Sequence, residues 1–138
     1  MDHWYRFEAA EQVLRTHKTF AVVGCSADPR RPSHGVARTL ISRGYGVVPV
    51  NPNVAEVHGL RSYPSLASAA EEHDIDVVDL FRRSQHVADH VDEAIAIGAK
   101  AIWMQLGVID EEAAARAEGA GLTVVMDRCP AIDLRRVS

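Results

Sequence analysis

Apolar residues follow two rhythms that alternate along the chain. Short runs rich in valine and isoleucine occur at Phe20-Ala21-Val22-Val23, Val47-Val48-Pro49-Val50, Asp76 to Phe81, Lys100 to Met104 and Leu122 to Met126, and read as strands buried on both faces. Between them, Val36, Ala37, Leu40 and Ile41, and then Val87, Val91, Ala94 and Ile95, recur at the three-or-four spacing of one helical face. Phe7, Ala10, Val13 and Leu14 repeat that spacing, so Tyr5 to Thr16 forms a leading helix within residues 1–17. Ser33 and Ser84 stand where each would cap a helix, and Gly44 closes the first of these. Asp110, Glu111 and Glu112 put negative charge at the start of another, where the helix dipole favours it. Leu66 to His73 reads as a short helix, and the Asn-, Pro- and Gly-rich stretch from Asn51 to Pro64 as a loop with an edge strand near Leu60 to Tyr63.

Strands alternating with helices define an α/β fold, a doubly wound parallel sheet of Rossmann-like form, and right-handed crossovers put helices on both faces to give a three-layer α/β/α domain. With no repeat or linker, residues 1–138 form a single domain. The expected strand order is 3-2-1-4-5-6, which reverses direction between the first strand and the one ending at Phe81; ligands in such sheets bind at the carboxyl ends beside the reversal. Pro49 removes a ladder donor, so a bulge or a locally unpaired edge is expected in the second strand.

Composition narrows the function. The formal charge of -4 argues against a sequence-independent grip on nucleic acid, which needs many Lys and Arg along the phosphates. No apolar run approaches the roughly 18 residues that cross a bilayer, and the N-terminus Met1-Asp2-His3-Trp4-Tyr5-Arg6 does not read as a secretory signal. A cytoplasmic protein with reduced Cys25 and Cys129 is the expectation, as a monomer or homodimer, with Trp4 and Tyr5 either a dimer contact or packed on their own domain. His86 and His90 stand four apart without a third ligand nearby, so no metal site is expected.

Two basic pairs follow the two strands at the reversal: Arg30-Arg31 and Arg82-Arg83. Guanidinium forks suit phosphate, and a helix start near Ser33 adds free N–H groups and a favourable dipole. The turn Gly24-Cys25-Ser26 lacks the second glycine of a dinucleotide fingerprint, and Val50-Asn51-Pro52 lacks the acid that would hold the ribose of NAD. Nicotinamide chemistry is disfavoured on both counts. Cys25, in a loop before a helix and near arginine, is placed either to carry a lowered thiol pKa and form a mixed disulfide with a ligand thiol, or to fill a tight turn. His34 is placed to meet a phosphate or to face water.

An ordered set of short motifs runs from about residue 19 to the end: Gly24-Cys25-Ser26 with Pro29, Arg30, Pro32 and Ser33, then Pro49-Val50-Asn51-Pro52, Tyr63-Pro64-Ser65-Leu66, Asp76-Val77-Val78-Asp79 with Phe81-Arg82, Trp103-Met104-Gln105-Leu106-Gly107, and Asp127-Arg128-Cys129. This set resembles the small stand-alone CoA-binding proteins, whose fold is similar to the CoA-binding domain of the succinyl-CoA synthetase α subunit. The resemblance implies that coenzyme A or an acyl-CoA is the cofactor. It places Gly24, Cys25, Ser26, Arg30 and Ser33 on the phosphate side, with Val50, Asn51 and Pro52 bordering the nucleotide on the second strand. Phe81 and Arg82 would contact it from across the reversal, and Trp103 and Gln105 would border the pantetheine arm. Phe81 and Trp103 equally suit a core, and Asn51-Pro52 a simple turn. The resemblance implies binding without supplying a reaction, as in a carrier, sensor or regulatory module. The alternative is an enzyme acting on an acyl-CoA or using NAD(P), for which Asp28, Asp79 and His34 are the candidates for proton transfer.

Overall fold

The computed structural model describes residues 2–137. Five parallel strands form the central sheet: β1 (Thr19–Val23), β2 (Gly46–Val50), β5 (Val77–Leu80), β6 (Ala101–Met104) and β7 (Thr123–Val125), in the order β2-β1-β5-β6-β7. Two further pieces, β3 (Glu56–Val57) and β4 (Leu60–Arg61), make a small antiparallel hairpin.

The expected edge strand at 60–63 is therefore corrected. Leu60 and Arg61 turn back on Val57 and Glu56, and only Tyr63 reaches the main sheet, through an isolated parallel bridge to Val50. Pro49 causes no bulge, because its pairing with Val22 continues the β1–β2 register. Its backbone polar groups face the outer edge, where its carbonyl accepts from the Tyr63 N–H at 3.0 Å and a missing donor costs little.

Period-two alternation sends successive side chains to opposite faces, and two cores result. Ala21, Val48, Val78, Leu80, Ile102 and Met104 pack under α3 (Leu66–Ala70), α4 (Val87–Ala96) and α5 (Glu111–Gly119). Phe20, Val22, Val47, Val77, Trp103 and Val125 pack under α1 (Phe7–Thr16) and α2 (Pro32–Ser42), beside the short α6 (Pro130–Asp133). The 3₁₀ turn at Asp2–Tyr5 brings Trp4 across the β7 edge, where the Met126 N–H donates to its carbonyl at 2.9 Å. Trp4 is buried in its own domain.

The helix starts differ from expectation in two places. Pro32 takes the first position of α2, leaving Arg31 as the flanking residue and Ser33 inside the first turn. Ser84 opens a 3₁₀ turn at Ser84–His86 and accepts from the Ile109 N–H at 3.0 Å rather than capping α4. Asp110 is the true cap of α5, accepting from the Ala113 N–H at 3.0 Å. Among the described residues no helix is long and apolar enough to cross a membrane.

Candidate functional site

At the reversal, the carboxyl ends of β1 and β5 lie against each other. The Phe81 N–H donates to the Val23 carbonyl at 3.0 Å, and the Gly24 N–H donates to the Val50 carbonyl at 2.8 Å. Gly24 has φ +82, and a Cβ built on it would fall 2.5 Å from the Phe81 carbonyl oxygen. The two arginine-bearing turns thus touch through a glycine that no other residue can replace without moving backbone.

A cavity of about 600 Å³ opens on each side of this junction, and both are lined by Gly24, Arg31, Phe81 and Arg82. The cavity on the α2 side is mostly apolar, with Val36, Leu106, Val108 and Cys129 in its wall and Ser26, Ser33 and Gln105 as polar points. The other is mostly polar and runs along Val50, Asn51 and Pro52 to Ser65 at the start of α3, with His90 and Glu93 on α4.

The turn between β1 and α2 is braced from within. Ser33 Oγ accepts from the Ser26 N–H at 2.9 Å, and Ser26 Oγ accepts from the Asp28 N–H at 3.0 Å. Asn51 donates its amide to the Cys25 carbonyl at 2.9 Å, which ties the end of β2 to the same turn. Ser26, Ser33 and Asn51 therefore shape the groove as well as line it.

The arginines divide unevenly. Arg30 is almost fully exposed, lines neither cavity, and is held by Asp28 through two side-chain bonds of 3.0 and 3.1 Å. That contact keeps the Asp28 carboxyl below the usual carboxylate range. Its neighbour Arg31 enters both cavities with Arg82, and Arg83 joins them on the apolar side. The convergence of positive charge exists, but Arg31 takes the place expected of Arg30.

Trp103 and Cys25 both take the packing alternative that the sequence left open for each. Trp103 is fully buried, and its indole N–H donates to the Arg128 carbonyl at 2.9 Å. It shares a face with Gln105 but lies two residues, roughly 7 Å, deeper along the strand direction. Cys25 is fully buried as well, and burial, with a smaller contribution from the Asp79 charge, pushes its thiol up to about 12. A protonated, enclosed thiol is a poor nucleophile, which favours the tight-turn reading of Cys25 over the mixed disulfide. Both cysteines are free.

His34 is half-buried in the first turn of α2. Its ring stacks on His58 with centroids 4.1 Å apart, and desolvation, then His58 and Arg38, lowers its pKa. Asp79 is the buried carboxyl of β5, and one amide heteroatom of Gln105 lies 2.8 and 3.2 Å from its two oxygens. Sequence reasoning gave no site role to Ser65, whose hydroxyl accepts from the Ser68 N–H at 3.1 Å in a capping box, or to the exposed Leu106 at the groove mouth. Both lie inside the motifs that carry the resemblance, and the Ser-x-x-Ser spacing was a further signal for the first.

A parallel sheet with a helix N-terminus and two guanidinium groups at its reversal defines a Rossmann-like domain with a basic groove at that point. The CoA binding domain family model matches residues 18–135, and the chain belongs to that family. The uncharacterized protein YneT of Bacillus subtilis (strain 168) is 36% identical over 119 residues, spanning 86% of this chain and 87% of its own. A hypothetical protein from Pyrococcus horikoshii OT3 superposes with a TM-score of 0.89 at 36% identity, covering 96% of this chain and 92% of that one. The dinucleotide-forming acetyl-coenzyme A synthetase 1 of Ca. Korarchaeum cryptofilum is similar over 84% of this chain but only 27% of its own, with a TM-score of 0.70 and 27% identity.

Proposed function

We propose that this chain binds coenzyme A or an acyl-CoA across the carboxyl ends of β1 and β5, as a cytoplasmic carrier, sensor or regulatory module without a reaction of its own. The observation that carries this reading is the shared junction: Arg31 and Arg82 line both cavities beside the first turn of α2. A pyrophosphate there would meet two guanidinium forks and the helix dipole together. The polar cavity suits the nucleotide and the apolar one the pantetheine arm, so one ligand would cross the junction. Asp28, one of the three candidates for proton transfer, is already paired with Arg30, which favours binding over catalysis.

The test is a thermal-shift comparison of CoA, acetyl-CoA, NAD, NADP and ATP. A ligand at about 100 times its dissociation constant stabilises the folded state by roughly 2.7 kcal/mol, and CoA or acetyl-CoA should give the largest rise in melting temperature. A larger rise with NAD or NADP would favour the enzyme reading. No rise with any of them would remove the binding site.

A further inference from the structure

Asp79 lies in the middle of the sheet, on a central strand between Val22 of β1 and Trp103 of β6. A carboxyl group at that position is costly, because its strand neighbours on this face are apolar: Phe20, Val22, Val77, Ala101 and Trp103. It is completely buried, and its contact in the structure is the Gln105 amide. Gln105 is itself only 5% exposed, yet it lines the apolar cavity. The amide edge not turned to Asp79 is what this side chain offers a ligand.

An amide has two unlike ends, and the carboxyl decides which end it receives. Ionised Asp79 is an acceptor only, so it takes the Gln105 NH₂ and leaves the amide oxygen for the cavity. Neutral Asp79 can donate its O–H to the Gln105 oxygen at the same 2.8 Å separation, which leaves the NH₂ for the cavity. We propose that Asp79 is a positioning residue whose proton turns Gln105 into a hydrogen-bond donor for a ligand carbonyl, the amide or thioester of a pantetheine-bearing ligand. The inference rests on the reading that such a ligand occupies the apolar cavity.

Burial supports the neutral form by raising the Asp79 pKa well above the ordinary carboxyl value. The titratable group facing it from the β1–α2 turn is Cys25, itself held neutral by burial. Cys129, before α6, and Arg31, Arg82 and Arg83 share the cavity that Gln105 lines.

The experiment combines infrared spectroscopy of the ligand-free protein with acetyl-CoA titrations from about pH 6 to about pH 10, where any ionisation of a strongly raised carboxyl would fall. Acetyl-CoA has no free thiol to titrate. Near neutral pH the wild type should show a protonated-carboxyl band that Asp79→Asn lacks. The two proteins should then bind alike, and Gln105→Leu about tenfold more weakly. Wild-type affinity should follow the band, falling about tenfold wherever the band is lost and staying flat wherever it persists, while Asp79→Asn stays flat throughout. Ethyl-CoA, which lacks the thioester carbonyl, separates the two sources. If Gln105→Leu weakens it equally, the contacted carbonyl is a pantetheine amide, and if it is unaffected, the contact is the thioester. An ionised Asp79 near neutral pH, full affinity in Gln105→Leu, or a pH dependence shared by Asp79→Asn overturns the inference while leaving CoA binding intact. Absence of acetyl-CoA binding in every protein at every pH overturns the functional reading, and the inference with it.

Discussion

Gly24→Ala should lower stability by about 3 kcal/mol and remove CoA binding together, a double loss from one added methyl group. Part of the cost is conformational: φ +82 lies in the left-handed region, which disfavours any residue with a Cβ by about 1 to 2 kcal/mol. The rest is steric, because the new Cβ would stand 2.5 Å from the Phe81 carbonyl oxygen and backbone cannot rotate away as a side-chain tip can. Relief requires the two turns to separate, which pulls Arg31 away from Arg82. Gly35→Ala makes the matched control. It lies within α2, has nothing within 4 Å of a built Cβ, and should raise stability by up to about 1 kcal/mol, as alanine does in helices. Thermal denaturation of both variants with and without CoA checks this; a Gly24→Ala protein that melts and binds like the wild type would show that the junction is not tight.

Arg128→Ala should be comparably damaging, at about 3 kcal/mol, with no direct contact to the groove. Its guanidinium clasps Asp133 through bonds of 2.8 and 2.7 Å and donates to the Tyr5 carbonyl at 2.9 Å. It also lies over the Phe7 ring, 5.8 Å from its centre. Asp133 is only 2% exposed, so truncating the arginine strands a carboxyl group in the core and loosens the entry to α1. Arg128→Lys should recover only part of the loss, because an ammonium cannot give two parallel bonds. The double variant Arg128→Ala with Asp133→Ala should be less unstable than Arg128→Ala alone, since no buried carboxyl group is then left without its partner. Chemical denaturation measures all three, and an Arg128→Ala variant within about 0.5 kcal/mol of the wild type would contradict the account.

Legibility in the sequence followed the physics of each segment. The five long strands were readable because each is a continuous apolar run, the pattern of a strand covered on both faces. The edge near Leu60 was misread because a local turn was overlooked: His58 at φ +53 and Gly59 at φ +76 make a two-residue hairpin turn that sends Leu60 and Arg61 back to Val57 and Glu56. Adjacent arginines could not be told apart without the turn geometry. Asp28 accepts from the Arg30 N–H and also captures its guanidinium, whereas Arg31 flanks the helix that Pro32 begins. Pro32 was a readable sign that the helix starts one residue before Ser33.

Trp103 and Cys25 show a different limit. Period two fixes the face on which a strand residue lies but not its depth below the sheet's open end, and depth is what separates Gln105 in the cavity wall from Trp103 in the core. The thiol chemistry of Cys25 depends on enclosure, which no local pattern reports. Asp127-Arg128-Cys129 carried the resemblance without a reason. The structure supplies one: Asp127, at φ +58, accepts from the Gly107 N–H at 2.7 Å, Arg128 clasps Asp133, and Cys129 lines the apolar cavity.

The most direct measurement is a crystal structure of the protein grown with CoA. The pyrophosphate should lie at the Gly24–Phe81 junction, within hydrogen-bonding reach of Arg31 and Arg82, with the pantetheine arm running past Gln105 and Leu106 and the nucleotide beside Asn51. CoA bound elsewhere, or at this junction with both guanidinium groups turned away from its phosphates, would contradict the proposed site.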